Sequence, residues 1–313
     1  MPMIKYQNFN FRSTSMALID KANELIADYQ EQGFDLTLRQ LYYQFVSRDI
    51  IPNTLKSYKN LGSVINDARL AGLIDWDTIV DRTRELRALS HWDVPSDIIS
   101  TCAKQFNIDR WANQPYRPEV WIEKDALVGV FERICQEMDV PLLSCRGYTS
   151  QSEMWAAGQR LIRYKQTPYF ATGITNSKRF YPTPVIFHFG DHDPSGKDMS
   201  RDITDRLELF TRSRLHFERL ALNMEQIEKY NPPPNPAKIT DSRANAYIAE
   251  YGAESWELDA LEPAVLADLV RTAVEGVMDK DKMDDAVTEQ NQHRETLSLI
   301  AEKFDAVEEL VRQ

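Results

Sequence analysis

Between residues 14 and 32 the apolar side chains recur at helical spacing. Leu18, Ala22, Leu25 and Tyr29 share one face, behind the capping cluster Ser13-Thr14-Ser15 and ahead of Gly33. A second helix opens at Asp35 or Thr37 and runs over 38–47, until Pro52-Asn53 breaks the pattern. A third covers about 57–71 and stops at Gly72. Residues 73–81 then alternate apolar and polar, as a strand does. Residues 88–118 lose all period and carry Trp92, Pro95, Trp111, Pro115 and Pro118, which predicts a linker packed by its aromatics. From Glu119 the pattern predicts strand, helix 126–138, strand 141–144, helix 150–164, strand 185–189 and helix 197–210. Alternation of this kind means a parallel α/β sheet. Pro232-Pro233-Pro234-Asn235-Pro236 is a rigid extended loop. From Pro263 the chain turns helical, and Leu297, Ile300, Phe304, Val307 and Val311 form a stripe suited to a partner or to the chain's own domain.

Three helices followed by a short strand pair outline a winged helix-turn-helix of the CAP-like kind, whose third helix would enter the major groove. That helix carries Asn60, Ser63, Asn66, Asp67 and Arg69, with Lys59 one residue ahead. The expected organisation is a winged-helix DNA-binding domain over 1–87, a linker over 88–118, an α/β domain over 119–262 and an acidic helical tail over 263–313.

Two of the predicted strands end in acid. Val120-Trp121-Ile122 runs into Glu123-Lys124-Asp125, and Pro184-Val185-Ile186-Phe187-His188-Phe189 runs into Gly190-Asp191-His192-Asp193-Pro194-Ser195-Gly196. Open α/β sheets bind ligands at the C-terminal ends of their strands. Carboxylates gathered there repel one another unless a hard cation lies between them, so a Mg²⁺ site of Glu123, Asp191 and Asp193 is the expectation. Asp191 and Asp193, two apart, would point the same way from an extended strand end. Gly196 would let a phosphate or a backbone come close. The plainer alternatives are that Asp-x-Asp-Pro-x-Gly is a turn and that Glu123-Lys124 is a surface pair.

The formal net charge of −11 would argue against nucleic acid, but it is unevenly placed. Residues 241–313 hold 7 Lys/Arg against 18 Asp/Glu, whereas 144–220 hold 12 Lys/Arg against 8 Asp/Glu. Basic surfaces are therefore permitted, with Arg146 and Lys197 as candidate contacts beside Lys59, Asn66 and Arg69. Three cysteines (Cys102, Cys135 and Cys145) show neither disulfide nor zinc spacing. With no apolar run near a membrane span and no leader-like start, a cytoplasmic protein is expected.

Ile122-Glu123-Lys124-Asp125-Ala126, followed by an apolar helix and then by Gly190-Asp191-His192-Asp193-Pro194-Ser195-Gly196, resembles a Toprim domain. The likeness is to the A subunit of topoisomerase VI and the related meiotic double-strand-break transesterase, especially the shortened stand-alone relatives of phages and mobile elements. Cys145-Arg146-Gly147-Tyr148 resembles the turn between the two acidic runs, and Trp256-Glu257-Leu258-Asp259-Ala260-Leu261 a later acidic-apolar run. The resemblance spans roughly 35–262. It implies a winged-helix domain followed by a Toprim domain with a parallel sheet, and Mg²⁺ held by Glu123, Asp191 and Asp193.

In the second helix Leu38-Arg39-Gln40-Leu41-Tyr42-Tyr43 sets Arg39 and Tyr43 four apart on one face. By pattern alone a tyrosine there is a core residue. The resemblance instead makes Tyr43 the nucleophile on a DNA phosphodiester and Arg39 its partner, with Gln40 in place of the family's acidic residue. It also implies double-stranded DNA as substrate and a homodimer in which the tyrosine of one protomer works with the metal site of the other. Docking of an ATPase subunit stays open, because the N-terminal extension is short. Two rivals remain: a Toprim nuclease that uses water, Tyr43 being structural, and a DNA-binding module without catalysis. Of the other residues, His188 reads as a core histidine and His192 as a phosphate contact or a solvated turn residue. Trp76, Trp121 and Trp155 read as core. Lys238, Thr240, Asp241, Ser242 and Arg243 border the DNA channel or, the reading preferred here, cap the next helix.

Overall fold

The computed structural model describes residues 3–79, 89–166, 181–237, 241 and 243–312. In chain order the helices and strands are α1 (Ser13–Glu31), α2 (Leu38–Ser47), α3 (Leu55–Leu70), α4 (Pro95–Gln105), β1 (Tyr116–Ile122), α5 (Val128–Met138), β2 (Leu142–Ser144), α6 (Gln151–Gln166), β3 (Thr183–Phe189), α7 (Pro194–Thr211), β4 (His216–Ala221), α8 (Met224–Tyr230), β5 (Asn235–Pro236), α9 (Ala244–Tyr251), β6 (Glu254–Ser255), α10 (Pro263–Val277), α11 (Lys280–Glu302) and α12 (Phe304–Val311). The fold is mixed α/β with a four-stranded sheet in the order β2-β1-β3-β4; β1 runs parallel to β2, and β3 to β4. No described helix is long and apolar enough to cross a membrane.

Two compact units form. The first comprises Met1–Arg84, Pro118–Ile162 and Pro184–Ala273, the second Glu85–Arg117, Arg163–Thr183 and Val274–Gln313.

In the first unit α1, α2 and α3 close around Ile19, Leu25, Tyr29, Leu41, Phe45 and Leu61. Helix α1 starts at Ser13 without a side-chain cap, the expected Ser13-Thr14-Ser15 cluster lying inside its first turn, whereas α2 and α3 begin at threonine caps. Thr37 accepts from the Gln40 backbone while the Gln40 side chain answers the Thr37 N–H, a reciprocal box that fixes the start of α2 and settles the choice between Asp35 and Thr37. Thr54 caps α3 one way, its hydroxyl accepting from the Ser57 N–H at 3.1 Å. The strand expected over 73–81 does not form among its described residues. Asp75 folds its carboxylate onto the Asp77 N–H, a local turn that outcompetes pairing, and a single parallel bridge joins Leu36 to Ile79. Residues 80 and 81 lie outside the described residues.

The sheet of this unit is buried from both sides, which explains the continuous apolar runs in β1 and β3. Phe131 of α5 meets Phe189 of β3 edge-on with ring centroids 4.7 Å apart. Met154 and Leu161 of α6 are fully buried. Trp121 is fully enclosed, as expected, whereas Trp155 is 54% exposed and Trp76 lies part-exposed against Tyr6.

The second unit contains the stretch expected as a linker. Its Pro95 sits in the first turn of α4, where a missing N–H costs nothing, and α4 packs on α11. Arg294 of α11 donates to the Phe106 carbonyl, and the Gln290 side chain accepts from the Ile108 N–H. The apolar stripe of the tail is interrupted at Lys303, and Leu310 and Val311 stand exposed at 71% and 79%.

Candidate active site

β1 and β3 deliver their acids to one edge. The Glu123 N–H donates to the Phe189 carbonyl at 2.8 Å, so the ends of the two strands are level. Beyond Phe189 the chain continues through Gly190, and the Asp191 N–H donates to Glu123 Oε2 at 2.9 Å. Two glycines are required here. A Cβ on Gly190 would lie 2.8 Å from Glu123 Oε2, and one on Gly196 would lie 2.2 Å from the Asp191 carbonyl oxygen. Gly196 therefore accommodates the site's own backbone rather than an incoming phosphate.

Asp191 and Asp193 do not work as a pair. Asp191 is buried, accepts from the Leu258 N–H at 2.8 Å and faces Lys124 Nζ at 2.9 Å. Asp193 caps α7, its Oδ1 accepting from the Gly196 N–H at 2.6 Å and the Ser195 hydroxyl at 2.9 Å. The chain stays extended beyond β3, Gly190 bonding Ala221 and Leu222 and His192 bridging Trp256; what separates the two acids is that the Asp193 carboxylate is taken up as the cap of α7. The turn reading thus describes Asp193, while Asp191 joins Glu123. Among the described residues no group of three or more His, Cys, Asp or Glu is arranged to hold a metal ion.

The electrostatics of the Glu123–Asp191 pair favour added positive charge. Burial, then the neighbouring Asp191, pushes the Glu123 carboxyl up to about 8. Burial also lifts Asp191 to about 6 against the opposing pull of Lys124. Two buried oxygen donors, at least one of them short of a counter-charge, suit Mg²⁺, which commonly takes one or two carboxylates and keeps several waters. The pair therefore fits such an ion; a three-carboxylate set is not assembled.

Lys124 is no surface lysine. Its Nζ lies 2.9 Å from Asp191, 2.7 Å from Glu257 and 2.9 Å from Asp259. Burial alone would lower its proton affinity, and the three carboxylates more than offset that, so it is held as ammonium. Glu257 and Asp259 also bind Arg39: the Arg39 Nε lies 2.9 Å from Asp259, and its Nη2 donates to Glu257. The same two acids thus grip the cation of α2 and the cation that follows β1.

Tyr43 is buried on α2, with the Arg39 Cζ 5.8 Å from its ring centroid. Burial, then Asp259 and Glu257, raises its phenol above the ordinary tyrosine value. Tyr42 does not point to a different side: its ring centroid is 5.3 Å from that of Tyr43, both line one cavity, and its hydroxyl lies 3.0 Å from Asn53 Oδ1. Tyr43 lines a cavity of about 220 Å³ with Arg39, Tyr58, Asn235 and Glu257. Glu123 lines another of about 300 Å³ with Arg39, Lys124, Asp125 and Arg146. Arg39 borders both.

The remaining named residues divide. Lys59 and Asn66 are exposed on α3. Arg69 is turned onto Trp76, its Nη2 donating to the Trp76 carbonyl at 2.5 Å and its Cζ 4.7 Å from the ring, so it is not presented as a free cation. Arg146 is exposed and pairs with Asp125 at 3.0 Å. Lys197 Nζ lies 5.2 Å from the Tyr251 ring centroid. His188 is fully buried, as expected, with Nδ1 3.1 Å from Ser200 Oγ. His192 is neither solvated nor placed for phosphate: it is fully buried, with Nδ1 2.7 Å from the Tyr247 hydroxyl. Asp241 and Arg243 pair with each other ahead of α9 at 2.7 Å, while Lys238, Thr240 and Ser242 lie outside the described residues.

Sequence reasoning missed Arg219, whose guanidinium on β4 donates to the carbonyls of Gly190, Asp191 and Gly196 at 2.8, 2.5 and 3.0 Å. A lone arginine in a half-exposed strand gives no signal of this. Glu257 and Asp259 were visible as an acidic-apolar run without a role; their Glu-x-Asp spacing was the available clue. Comparison of the chain with protein-family models and with curated proteins gave no match.

Proposed function

We propose that this chain is a DNA-cleaving transesterase of the topoisomerase VI A-subunit type, built from a winged-helix domain and a Toprim domain and acting as a homodimer on double-stranded DNA. The observation that carries the reading is the Glu123–Asp191 pair at two strand ends, with Glu123 lining a cavity together with Arg39, Lys124 and Arg146. Acids that take a hard cation and bases that take phosphate oxygens are the two halves of a phosphodiester site.

Mg²⁺ held by Glu123 and Asp191 would supply charge stabilisation to a phosphoryl oxygen. Tyr43 supplies the nucleophilic oxygen: its bond to phosphorus forms, the phosphorus bond to the deoxyribose oxygen breaks, and the phenolic proton is passed on as that oxygen leaves as a hydroxyl. Arg39, beside the ring, favours the phenolate and holds the phosphate. Because Tyr43 and Glu123 open into different cavities of one chain, the reading pairs the tyrosine of one protomer with the acids of its partner. Strand passage would need an ATPase partner, since no Gly-x-x-x-x-Gly-Lys-Ser/Thr run occurs in the chain.

One observation favours a second reading, hydrolysis by water at the same acids. The Tyr43 phenol is buried and its proton held by Asp259 and Glu257, which suits a structural residue. Supercoiled plasmid with Mg²⁺ separates the two. Transesterification leaves protein covalently attached to the ends, and Tyr43→Phe and Asp191→Ala both abolish cutting. In hydrolysis Tyr43→Phe still cuts and the ends are free. No cutting by wild type and DNA binding indifferent to Mg²⁺ or EDTA would leave a non-catalytic DNA-binding module.

A further inference from the structure

Arg39 and Lys124 come from elements far apart in sequence, yet they share two carboxylates, and those carboxylates differ in one respect. The Asp259 side chain has no exposed surface, whereas that of Glu257 is 25% exposed. Asp259 is held under both cations, 2.9 Å from Arg39 Nε and 2.9 Å from Lys124 Nζ. Glu257 closes the same two cations from the solvent side through a single oxygen, Oε2, which accepts from Arg39 Nη2 and from Lys124 Nζ. An oxygen of a singly charged anion, bridging a guanidinium and an ammonium, is what a phosphodiester would place in that position.

We propose that Arg39 and Lys124 form the binding site for one backbone phosphate of DNA, and that Glu257 occupies it in the free chain as a displaceable phosphate mimic. The inference rests on the reading of the chain as a DNA-cleaving protein and adds to it a phosphate ligand, Lys124, and a built-in competitor.

Three features support it. Arg39 lines both the cavity of Tyr43 and that of Glu123, so a strand reaching from one to the other passes this cation. Exchange of Glu257 for a phosphate conserves charge, one anion leaving two cations as another arrives. Part-exposed ion pairs are weak and screened by salt, so the exchange is easily reversed, whereas buried Asp259 keeps both cations in place throughout.

The test is duplex binding by fluorescence anisotropy, in EDTA and over a range of salt, for wild type, Glu257→Gln, Lys124→Met and the double variant, each checked for folding by circular dichroism. Glu257→Gln is expected to bind about fivefold more tightly, the size of a lost exposed ion pair. Its plot of log K against log salt should steepen by about one, since displacement of the glutamate no longer recaptures a cation. Lys124→Met should weaken binding, and the gain from Glu257→Gln should vanish in the double variant, as coupled sites require. Affinity unchanged or lowered in folded Glu257→Gln, or a gain that survives loss of Lys124, overturns the proposal. If Glu257→Gln does not fold, Glu257→Asp, with its shortened reach, replaces it: tighter binding supports the mimic and unchanged binding overturns it. Failure of wild type and every variant to bind DNA would instead remove the underlying reading, an outcome distinct from wild type that binds and a Glu257 variant that does not differ.

Discussion

The backbone N–H of Asp191 donates to the Glu123 carboxylate at 2.9 Å, across 68 positions of sequence. This bond fixes one oxygen of Glu123 against the loop that carries Asp191, so the two acids are held in register before any cation arrives. What surrounds the bond is as constrained: two glycines that leave no room for a Cβ, and an arginine that gathers the loop's carbonyls.

Gly196→Ala tests the closeness of that packing. The added methyl would sit 2.2 Å from the Asp191 carbonyl oxygen, a backbone atom that cannot rotate away. A loss of about 2–3 kcal/mol in urea-induced unfolding is expected, at the upper end for overpacking. Mg²⁺ binding by calorimetry should weaken with it, because the shifted carbonyl belongs to the acid loop.

Arg219→Met removes the guanidinium that serves Gly190, Asp191 and Gly196; the Gly190 carbonyl keeps the Leu222 N–H and the Gly196 carbonyl the Ser200 hydroxyl, so the Asp191 carbonyl is the one that loses its donor. A buried acceptor left unsatisfied costs about 1–3 kcal/mol, so destabilisation of about that size is expected in chemical denaturation. An effect below about 1 kcal/mol, the level of an ordinary surface change, would show that the loop holds itself.

Stability without metal should rise from alkaline pH down to about 6.5 and change little from there to pH 5. Glu123 titrates at about 8 in the folded chain against an ordinary 4.5, so between those values the folded state binds the extra proton and stability rises as pH falls. His188 and His192 have the opposite sign: burial depresses them to about 3 and about 4 from 6.5, so below 6.5 the unfolded chain binds extra protons there, while Asp191, lifted to about 6 from 3.8, joins Glu123 in opposing that loss. Thermal melts in EDTA across pH 5–9 should rise from the alkaline end to about 6.5 and then level off. Glu123→Gln should flatten the alkaline limb, and Mg²⁺ should raise the melting temperature most above pH 8, where the carboxyl is ionised. A Glu123→Gln profile superimposable on wild type would refute the assignment.

Tyr43→Phe should fold as well as wild type, with unfolding free energy within about 1 kcal/mol, since the ring and its packing on α2 are kept. Covalent attachment of protein to DNA ends, read on denaturing gels, should be lost. Adducts that persist in Tyr43→Phe would mean that another side chain attacks.

How far the sequence can be read follows from what each feature depends on. Thr37 and Gln40 cap α2 through residues three apart, so the start of that helix was open to inspection once Thr37 was considered. The buried runs of β1 and β3 announced a parallel sheet, because strands covered on both faces lose their alternation. Helix α4 was hidden by Pro95 and the surrounding aromatics; proline reads as a breaker unless its place in the first turn is known. Trp155 was assigned to the core on its type alone, and its place on the outer face of α6 puts it in solvent.

The candidate site divides in the same way. The sequence by itself determined that acids stand at the ends of two buried strands and that Arg39 and Tyr43 share a helical face, because both follow from local period. Only the tertiary structure decided which acids meet. It joined Asp191 to Glu123 through a backbone N–H and left Asp193 to cap α7, because the open N–H groups at the start of that helix take up the Asp193 carboxylate. It also brought Lys124, Glu257, Asp259 and Arg39 onto shared oxygens. Contacts between charges carried on separate elements depend on how those elements pack, and no spacing along the chain encodes that.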